Sequence, residues 1–185
     1  MRHTAWGAIA LACGLSYTID AACADRPGTS AEVKRGEYLV ALGGCHDCHT
    51  PKTMTPNGPA PDMARALSGH PADAKLPPLP IDALGPGKWA AVTNDSLTAW
   101  AGPWGVSFAA NLTPDVRTGL GKWTEAQFVA SMRTGKHLGV GRPILPPMPW
   151  WSLKALDDAD LHAVFAYLQS ITPIENQVPA PIPPK

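Results

Sequence analysis

The ten residues GGCHDCHTPK, at positions 43–52, hold two cysteines and two histidines. Cys45 and Cys48 are separated by two residues, and His49 follows directly. A C-x-x-C pair can belong to a structural zinc site, to a redox-active disulfide or, when histidine comes next, to a covalent haem attachment. The rest of the chain has to discriminate between these three chemistries.

The spacing favours haem attachment. A structural zinc site normally takes four protein ligands, and the chain offers no second C-x-x-C pair. A thioredoxin-like motif belongs to a strand-to-helix context, whereas here the motif follows a predicted helix. In the C-x-x-C-H signature the two thiols add to the vinyl groups on one edge of the porphyrin. We therefore predict one covalent haem c, held by Cys45 and Cys48, with His49 as the proximal iron ligand.

The N-terminus predicts export. An uncharged, mostly apolar run covers residues 5–19, and Ala22 and Ala24 take the small-residue positions of a cleavage site before Asp25. This is the pattern of a secretory signal peptide, so we expect residues 1–24 to be removed and the mature protein to be periplasmic. A short membrane anchor is the alternative, although the run is shorter than the roughly 20 apolar residues of a membrane span.

Composition excludes several classes of protein. Cleavage would remove Cys13 and Cys23 and leave one cysteine pair, which is too few for a disulfide scaffold. The chain has 15 basic and 15 acidic residues, so nothing favours binding to nucleic acid or to an anionic membrane surface. No second apolar run indicates a stable membrane span after cleavage.

Three helices are predicted to position the motif. The first covers residues 31–42 and ends at Gly43-Gly44, just before Cys45, and the others begin near residues 125 and 158. Each has an N-cap signal followed by apolar residues at helical spacing. The three N-cap residues are Thr29, Thr124 and Asp157.

The predicted fold is all-α: a few helices around one covalently bound haem, with long loops rich in proline and glycine. No long alternating run predicts a sheet, and ten of the 21 prolines fall in residues 51–103. We divide the mature chain into a haem domain at residues 25–172, with a loop-rich insertion at 51–110, and a proline-rich tail at 173–185. The insertion is expected to cover one side of the haem, either as a packed structural element or as part of a docking surface.

The sixth iron ligand decides the function. A closed position favours electron transfer, whereas an open position allows gas binding or peroxide chemistry. Met148 is the candidate ligand, because Pro146, Pro147 and Pro149 stiffen the loop that carries it. His137 competes with it from the glycine-rich segment TGKHLGVG, and His70 is a weaker competitor.

The remaining methionines and His162 are expected to have other roles. Met132 lies on the apolar face of the second predicted helix, so it should pack in the core. Met54 and Met63 follow the motif closely and should lie on the wrong side of the ring. His162 should be a surface residue beside the apolar stripe of the third helix.

With these residues in place, residues 30–172 resemble a class I c-type cytochrome: a helix before C-x-x-C-H, a methionine loop and a C-terminal helix. The resemblance implies the class I cytochrome c fold. It also implies a close crossing of the first and last helices at Gly36 and Tyr167. In such proteins a backbone carbonyl orients the proximal histidine, and Gly58-Pro59 matches that position.

A second segment, NLTPDVRTGLGKWTEAQF at residues 111–128, is similar to a motif in the cytochrome c subunits of membrane-bound alcohol and gluconate dehydrogenases. In that family the segment wraps the haem edge near the propionates, which implies Asn111 and Trp123 as haem contacts. Core packing is the alternative for Trp123. Those subunits carry three haem domains, whereas this chain has one C-x-x-C-H. They are also membrane-attached, whereas this sequence shows no second apolar run.

The sequence thus predicts a periplasmic monohaem cytochrome c with His49 and Met148 as axial ligands. It would be an electron carrier and not an enzyme, either free or as the electron-transfer subunit of a dehydrogenase. Its partners would be a periplasmic or membrane dehydrogenase and a downstream cytochrome or oxidase. Two alternatives stay open: a haem enzyme or sensor with an open or labile sixth position, and a structural or assembly protein whose cysteines never take haem.

Overall fold

The computed structural model describes residues 28–184. The predicted signal peptide, residues 1–24, lies outside this range together with Cys13 and Cys23. In chain order the helices are α1 Ser30–Leu42, α2 Cys45–His49, α3 Glu125–Thr134, α4 Trp150–Leu153 and α5 Asp158–Ser170. The strands are β1 Lys52–Thr55, β2 Gly58–Pro61, β3 Val92–Thr93, β4 Ala99–Gly102 and β5 Gly105–Phe108.

The all-α prediction is wrong. The described residues contain two antiparallel sheets, a β1-β2 hairpin and a three-stranded sheet in the order β3-β4-β5. All five strands lie within the segment predicted to be loop. Each has only two to four residues, so none is long enough to show a clear alternation of apolar and polar residues. The two residues that connect β1 and β2 are Pro56 and Asn57, both of which are common in turns.

The three predicted helices are confirmed, and so are their caps. Thr29 forms a capping box with Glu32 at the start of α1. Thr124 forms one with Gln127 at α3, which ends at Gly135 in the left-handed conformation. The carboxylate of Asp157 accepts from the backbone N–H of Asp160 in the first turn of α5. These are local interactions, so the sequence alone was sufficient to find them.

Helices α1 and α5 pack closely at Gly36, as the resemblance implied. A Cβ atom at Gly36 would fall on the backbone carbonyl of Ala163 and within 2.7 Å of the Tyr167 Cβ atom. Arg35 joins the same two helices through a two-pronged bond to Asp160, with N–O distances of 2.8 and 2.9 Å. The crossing therefore needs glycine and is bordered by an ion pair.

A hydrophobic core lies between α1, α3 and α5. Met132 is part of it, as predicted, with 7% of its surface exposed. Leu67 and Leu120 reach it from the loops, and Cys45 packs against its edge. The motif helix α2 is therefore attached directly to the centre of the domain.

The C-terminal tail is docked along the fold. Ile182 pairs with Val106 on β5 through two backbone hydrogen bonds of 2.8 and 2.9 Å. Asn176 bonds to the backbone carbonyls of Ser68 and His70. No helix within residues 28–184 is long and apolar enough to span a bilayer.

Candidate haem-binding site

The C-x-x-C-H residues form a short helix of their own. Gly44, with φ at +65°, takes the left-handed conformation and lets the chain turn from α1 into α2. A glycine is favoured there because a Cβ would also lie 2.8 Å from the Asp47 carboxylate. Within α2, Cys45 and Cys48 are three residues apart, so their side chains lie on one face.

Both cysteines are free thiols, and each is half-buried. Burial raises the pKa of the Cys45 thiol to about 11, and it also raises the pKa of Cys48. Redox-active C-x-x-C pairs work through a cysteine of depressed pKa, so the surroundings of these thiols do not favour that alternative. Among residues 28–184 no group of three or more His, Cys, Asp and Glu side chains is arranged to hold a metal ion.

His49 is buried, and one of its ring nitrogens is fixed. Nδ1 lies 2.8 Å from the backbone oxygen of Ala110. A carbonyl oxygen can only accept, so Nδ1 carries the proton, and Nε2 is the nitrogen left with a lone pair. Burial lowers the pKa of His49, and the Ala110 bond opposes this in part. A neutral, oriented imidazole with one free nitrogen is a suitable iron ligand.

The carbonyl that orients His49 is not the one that the resemblance implied. Gly58 and Pro59 belong to the hairpin, where Gly58 pairs with Thr55. Ala110, which follows β5, supplies the oxygen from 61 residues along the chain. The long segment between the motif and residue 110 returns to the histidine, so the nearby Gly-Pro pair is not needed for this bond.

Two backbone segments hold the Ala110 carbonyl in place. His70 N–H donates to the Ala109 oxygen at 2.9 Å, and Gly69 N–H donates to the His49 oxygen at 2.8 Å. Gly69 has φ at +81°, and a Cβ there would lie 2.7 Å from the Ala110 oxygen. The approach of the two segments therefore requires glycine at position 69.

Thr50 and Lys52 organise the other end of the motif. The Thr50 hydroxyl lies 2.9 Å from Nδ1 of His46 and accepts from the Leu67 N–H at 2.9 Å. The Lys52 ammonium donates to the backbone oxygens of His46, Asp47 and Thr50 at 3.1, 2.9 and 2.6 Å. His46 thus has a structural partner, and a cation lies at the carboxyl end of α2.

Met148 is half-buried in the loop that leads into α4. The loop is attached to the three-stranded sheet, because the Ser107 hydroxyl on β5 donates to the Pro146 oxygen at 2.5 Å. Residues 107–110 therefore contact both the loop of Met148 and the ring of His49. The role of Met148 as an axial ligand stays a prediction.

The competing histidines have protein partners. His137 is exposed and packs edge-on against Trp123, with ring centroids 5.0 Å apart. His70 is 1% exposed, and its Nδ1 lies 2.8 Å from the Thr98 hydroxyl. His162 pairs with Glu125 at 3.5 Å and is partly exposed, so it lies at the surface as expected.

Asn111 and Trp123 differ in how many hydrogen-bond partners the described residues offer to their side chains. The amide nitrogen of Asn111 donates to the Ile174 oxygen at 2.8 Å and to the Thr118 hydroxyl at 3.2 Å. Its amide oxygen accepts twice from Thr113. These contacts connect Asn111 to the tail, and its role as a haem contact stays a prediction. Trp123 packs against the core, and its indole N–H meets no acceptor within residues 28–184.

Sequence reasoning missed Ala110, Ser107, Gly69 and Lys52. Three of these act through a backbone oxygen or through a contact more than 30 residues away, and such contacts leave no local pattern. Lys52 was visible beside the motif, but its three carbonyl partners depend on where α2 ends.

The residues present fit haem c. Two free thiols lie on one face of α2, and His49 is neutral with one free ring nitrogen. The loop that carries Met148 is bonded to β5, the strand that precedes Ala110.

The chain is similar to subunits of several dehydrogenases. It is 31% identical to one subunit of the nicotinate dehydrogenase of Pseudomonas putida over 174 residues, which is 92% of the chain. It is 32% identical to the cytochrome c subunit of a quinone alcohol dehydrogenase of Gluconacetobacter polyoxogenes, over 80% of the chain. It is 28% identical to the gluconate 2-dehydrogenase cytochrome c subunit of Pantoea cypripedii, over 88% of the chain.

The resemblance to cytochrome c domains of alcohol and gluconate dehydrogenase subunits is thereby confirmed. The chain spans only 12%, 26% and 30% of the length of these three relatives, in the order given. No protein-family model matches the chain.

Proposed function

We propose that this protein is a periplasmic monohaem c-type cytochrome that carries single electrons from a dehydrogenase to a downstream cytochrome or oxidase. The observation that carries the proposal is the motif helix. Two free thiols lie on one face of α2, and the Ala110 oxygen fixes His49 with Nε2 free. The similarity to cytochrome subunits of dehydrogenases supports the electron-transfer role and a dehydrogenase as the donor.

Each residue has a defined task in this proposal. Cys45 and Cys48 would form the two thioether bonds, and His49 and Met148 would be the axial ligands. Haem bound in this way supplies an iron centre that changes its charge by one. The protein would orient the imidazole through Ala110, exclude water from the buried His49, and close the sixth position with Met148. A closed position leaves no room for a substrate at the metal, so we propose a carrier and not an enzyme.

Export is a separate part of the proposal and has its own test. The full chain would be expressed in a bacterium that attaches haem in the periplasm, and the periplasmic protein would be analysed by mass spectrometry. We expect a chain that begins at Asp25 and carries one haem that survives denaturation. A chain that keeps its first 24 residues would contradict the cleavage, and a chain without haem would support the structural or assembly alternative.

The axial ligand is tested by the ferric absorption spectrum. Methionine-bound ferric haem c has a weak charge-transfer band in the far red, and we expect this band in the unmodified protein. Met148→Ala should remove the band entirely, whereas Met54→Ala, in the exposed hairpin, should leave it unchanged. Absence of the band from the unmodified protein would refute the Met148 assignment and favour His137 or an open position, with peroxide or gas chemistry to be tested next.

A further inference from the structure

Strand β5 and the residues just after it contact both the loop that carries Met148 and the ring of His49. Ser107 lies within the strand and bonds to the methionine loop, and Ala110 follows the strand and bonds to His49. We propose that Ser107 is a positioning residue that holds the Met148 loop and sets how firmly the thioether occupies the sixth position. This inference rests on the proposed function, because it assumes that Met148 is the ligand.

The Met148 loop can form few bonds of its own. Residues 146, 147 and 149 are prolines, so Met148 has the one backbone N–H in these four residues. The backbone oxygens of Met148 and Pro149 accept from Trp150 and Ser152, which begin α4. The loop is tied to α4 at its far end, and on its near side the Ile144 N–H donates to the Gly135 oxygen at 2.8 Å. Between these two anchors, the Pro146 carbonyl depends on a donor from elsewhere in the fold.

Ser107 supplies that donor. Ser107 is buried, with 7% of its surface exposed, and its hydroxyl donates to the Pro146 oxygen at 2.5 Å. The hydroxyl oxygen accepts in turn from the Trp104 indole N–H at 3.2 Å. A chain of bonds in which one hydroxyl both accepts and donates is mutually strengthening. Trp104 therefore orients the hydroxyl, and the hydroxyl holds the carbonyl two residues before Met148.

The strand that carries Ser107 is itself well fixed. β5 pairs with β4 along its whole length, with Ser107 opposite Trp100. On its other edge Val106 pairs with Ile182 of the tail. A strand bonded on both edges moves little, so the hydroxyl is presented to the loop from a rigid support. If the bond is lost, the loop should leave the iron more easily while the rest of the sheet stays in place.

Displacement of Met148 by imidazole tests the inference. The ferric haem-loaded protein would be titrated with imidazole, and loss of the far-red band would report displacement of methionine. For Ser107→Ala we expect the imidazole Kd to fall by about two- to tenfold, as expected for loss of one hydrogen bond. Ser131→Ala is the matched control. The Ser131 side chain is also buried, and its hydroxyl also donates to a backbone oxygen, that of Gln127, but it lies within α3.

A second variant makes the test independent of folding defects. Trp104→Phe removes the N–H that orients the Ser107 hydroxyl but keeps the serine itself, and we expect a smaller fall in the imidazole Kd. Equal Kd values in the unmodified protein, Ser131→Ala and Ser107→Ala would overturn the inference. If Ser107→Ala does not fold, an unchanged Kd in Trp104→Phe would overturn it instead. A missing far-red band in the unmodified protein would refute the Met148 assignment, a separate failure that belongs to the proposed function.

Discussion

At the scale of single residues, the properties of the proposed haem site depend on the charged and hydrogen-bonding groups around its ligands. The motif supplies the thiols and the histidine, but their neighbours set the properties of the site. Lys52 is the clearest case, because its ammonium group is held by three backbone oxygens at the end of the motif helix. Burial lowers the pKa of the Lys52 ammonium, whereas carbonyl acceptors at the negative end of a helix favour its charged form.

The Lys52 charge should raise the reduction potential of the proposed haem, because a nearby positive charge stabilises the reduced, ferrous state relative to the ferric state. A haem held by Cys45, Cys48 and His49 would place its iron near this charge. At an illustrative separation on the order of 10 Å and an effective dielectric constant of about 20, the interaction would be roughly 1–2 kcal/mol, or tens of millivolts. We therefore predict that Lys52→Met lowers the potential by tens of millivolts in a spectroelectrochemical titration. Lys52→Arg keeps the charge and should stay close to the unmodified protein. Equal potentials in Lys52→Met and Lys52→Arg would exclude a role for the charge.

The sequence was sufficient for residues whose function follows from their immediate neighbours. Cys45, Cys48 and His49 are adjacent and have a spacing that few other chemistries share. The oxygen that orients His49 is different, because any residue type has a backbone carbonyl. Ala110 has no distinguishing side chain, and only the fold brings it to the ring. Such a partner could not be predicted from residue types.

At the scale of elements, the crossing of α1 and α5 depends on one missing side chain. A Cβ at Gly36 would overlap the Ala163 carbonyl, which belongs to the backbone and cannot turn aside. Glycine costs a helix up to about 1 kcal/mol relative to alanine. Overpacking costs typically about 1–3 kcal/mol, and here the obstacle is rigid, so we expect the packing term to be the larger.

We therefore predict that Gly36→Ala lowers the free energy of unfolding by about 1–2 kcal/mol, measured by chemical denaturation. Ala41→Gly, at an exposed position of the same helix, reports the helix propensity alone and should cost about 0.5–1 kcal/mol. A Gly36→Ala protein that is more stable than the unmodified one would show that the helices separate at little cost.

Helices and strands differed in how well the sequence predicted them. The caps at Thr29, Thr124 and Asp157 are short-range patterns, and all three helices begin where these patterns indicate. The strands of the insertion are stabilised mainly by pairing with one another and with the tail. Strand β3 has two residues and exists only because β4 lies beside it. Pairing between distant short segments leaves no periodic pattern, so the sheets were missed.

At the scale of the whole molecule, the tail and the insertion form one structural unit. The residues of the proline-rich tail extend the hydrogen bonding of the loops at residues 68–72 and 113–118 and of the three-stranded sheet. Ile174 bonds to Thr113, Asn176 bonds to residues 68–72, and Ile182 pairs with β5. Residues 68–70 lie against Ala109 and Ala110, so the tail supports the carbonyl that orients His49.

Asn176 connects the tail to the segment at residues 68–72 through its side-chain amide. Its amide nitrogen donates to the oxygens of Ser68 and His70 at 2.7 and 2.9 Å, and its amide oxygen accepts from the Ala72 N–H at 2.9 Å. Ser68 and His70 are at most 2% exposed. Removal of the amide would leave buried backbone oxygens with fewer donors, which costs about 1–3 kcal/mol.

We predict that Asn176→Ala lowers the free energy of unfolding by about 1–3 kcal/mol in chemical denaturation of the haem-loaded protein. Gln177→Ala is the matched control, since its neighbouring amide is exposed and its loss should change stability by less than about 0.5 kcal/mol. Because Asn176 supports the segment beside Ala110, the same variant should also exchange the backbone N–H groups of Gly69 and His70 faster in hydrogen-exchange mass spectrometry. Unchanged exchange at these two residues, with stability lost elsewhere, would show that the tail stabilises the fold without supporting the orientation of His49.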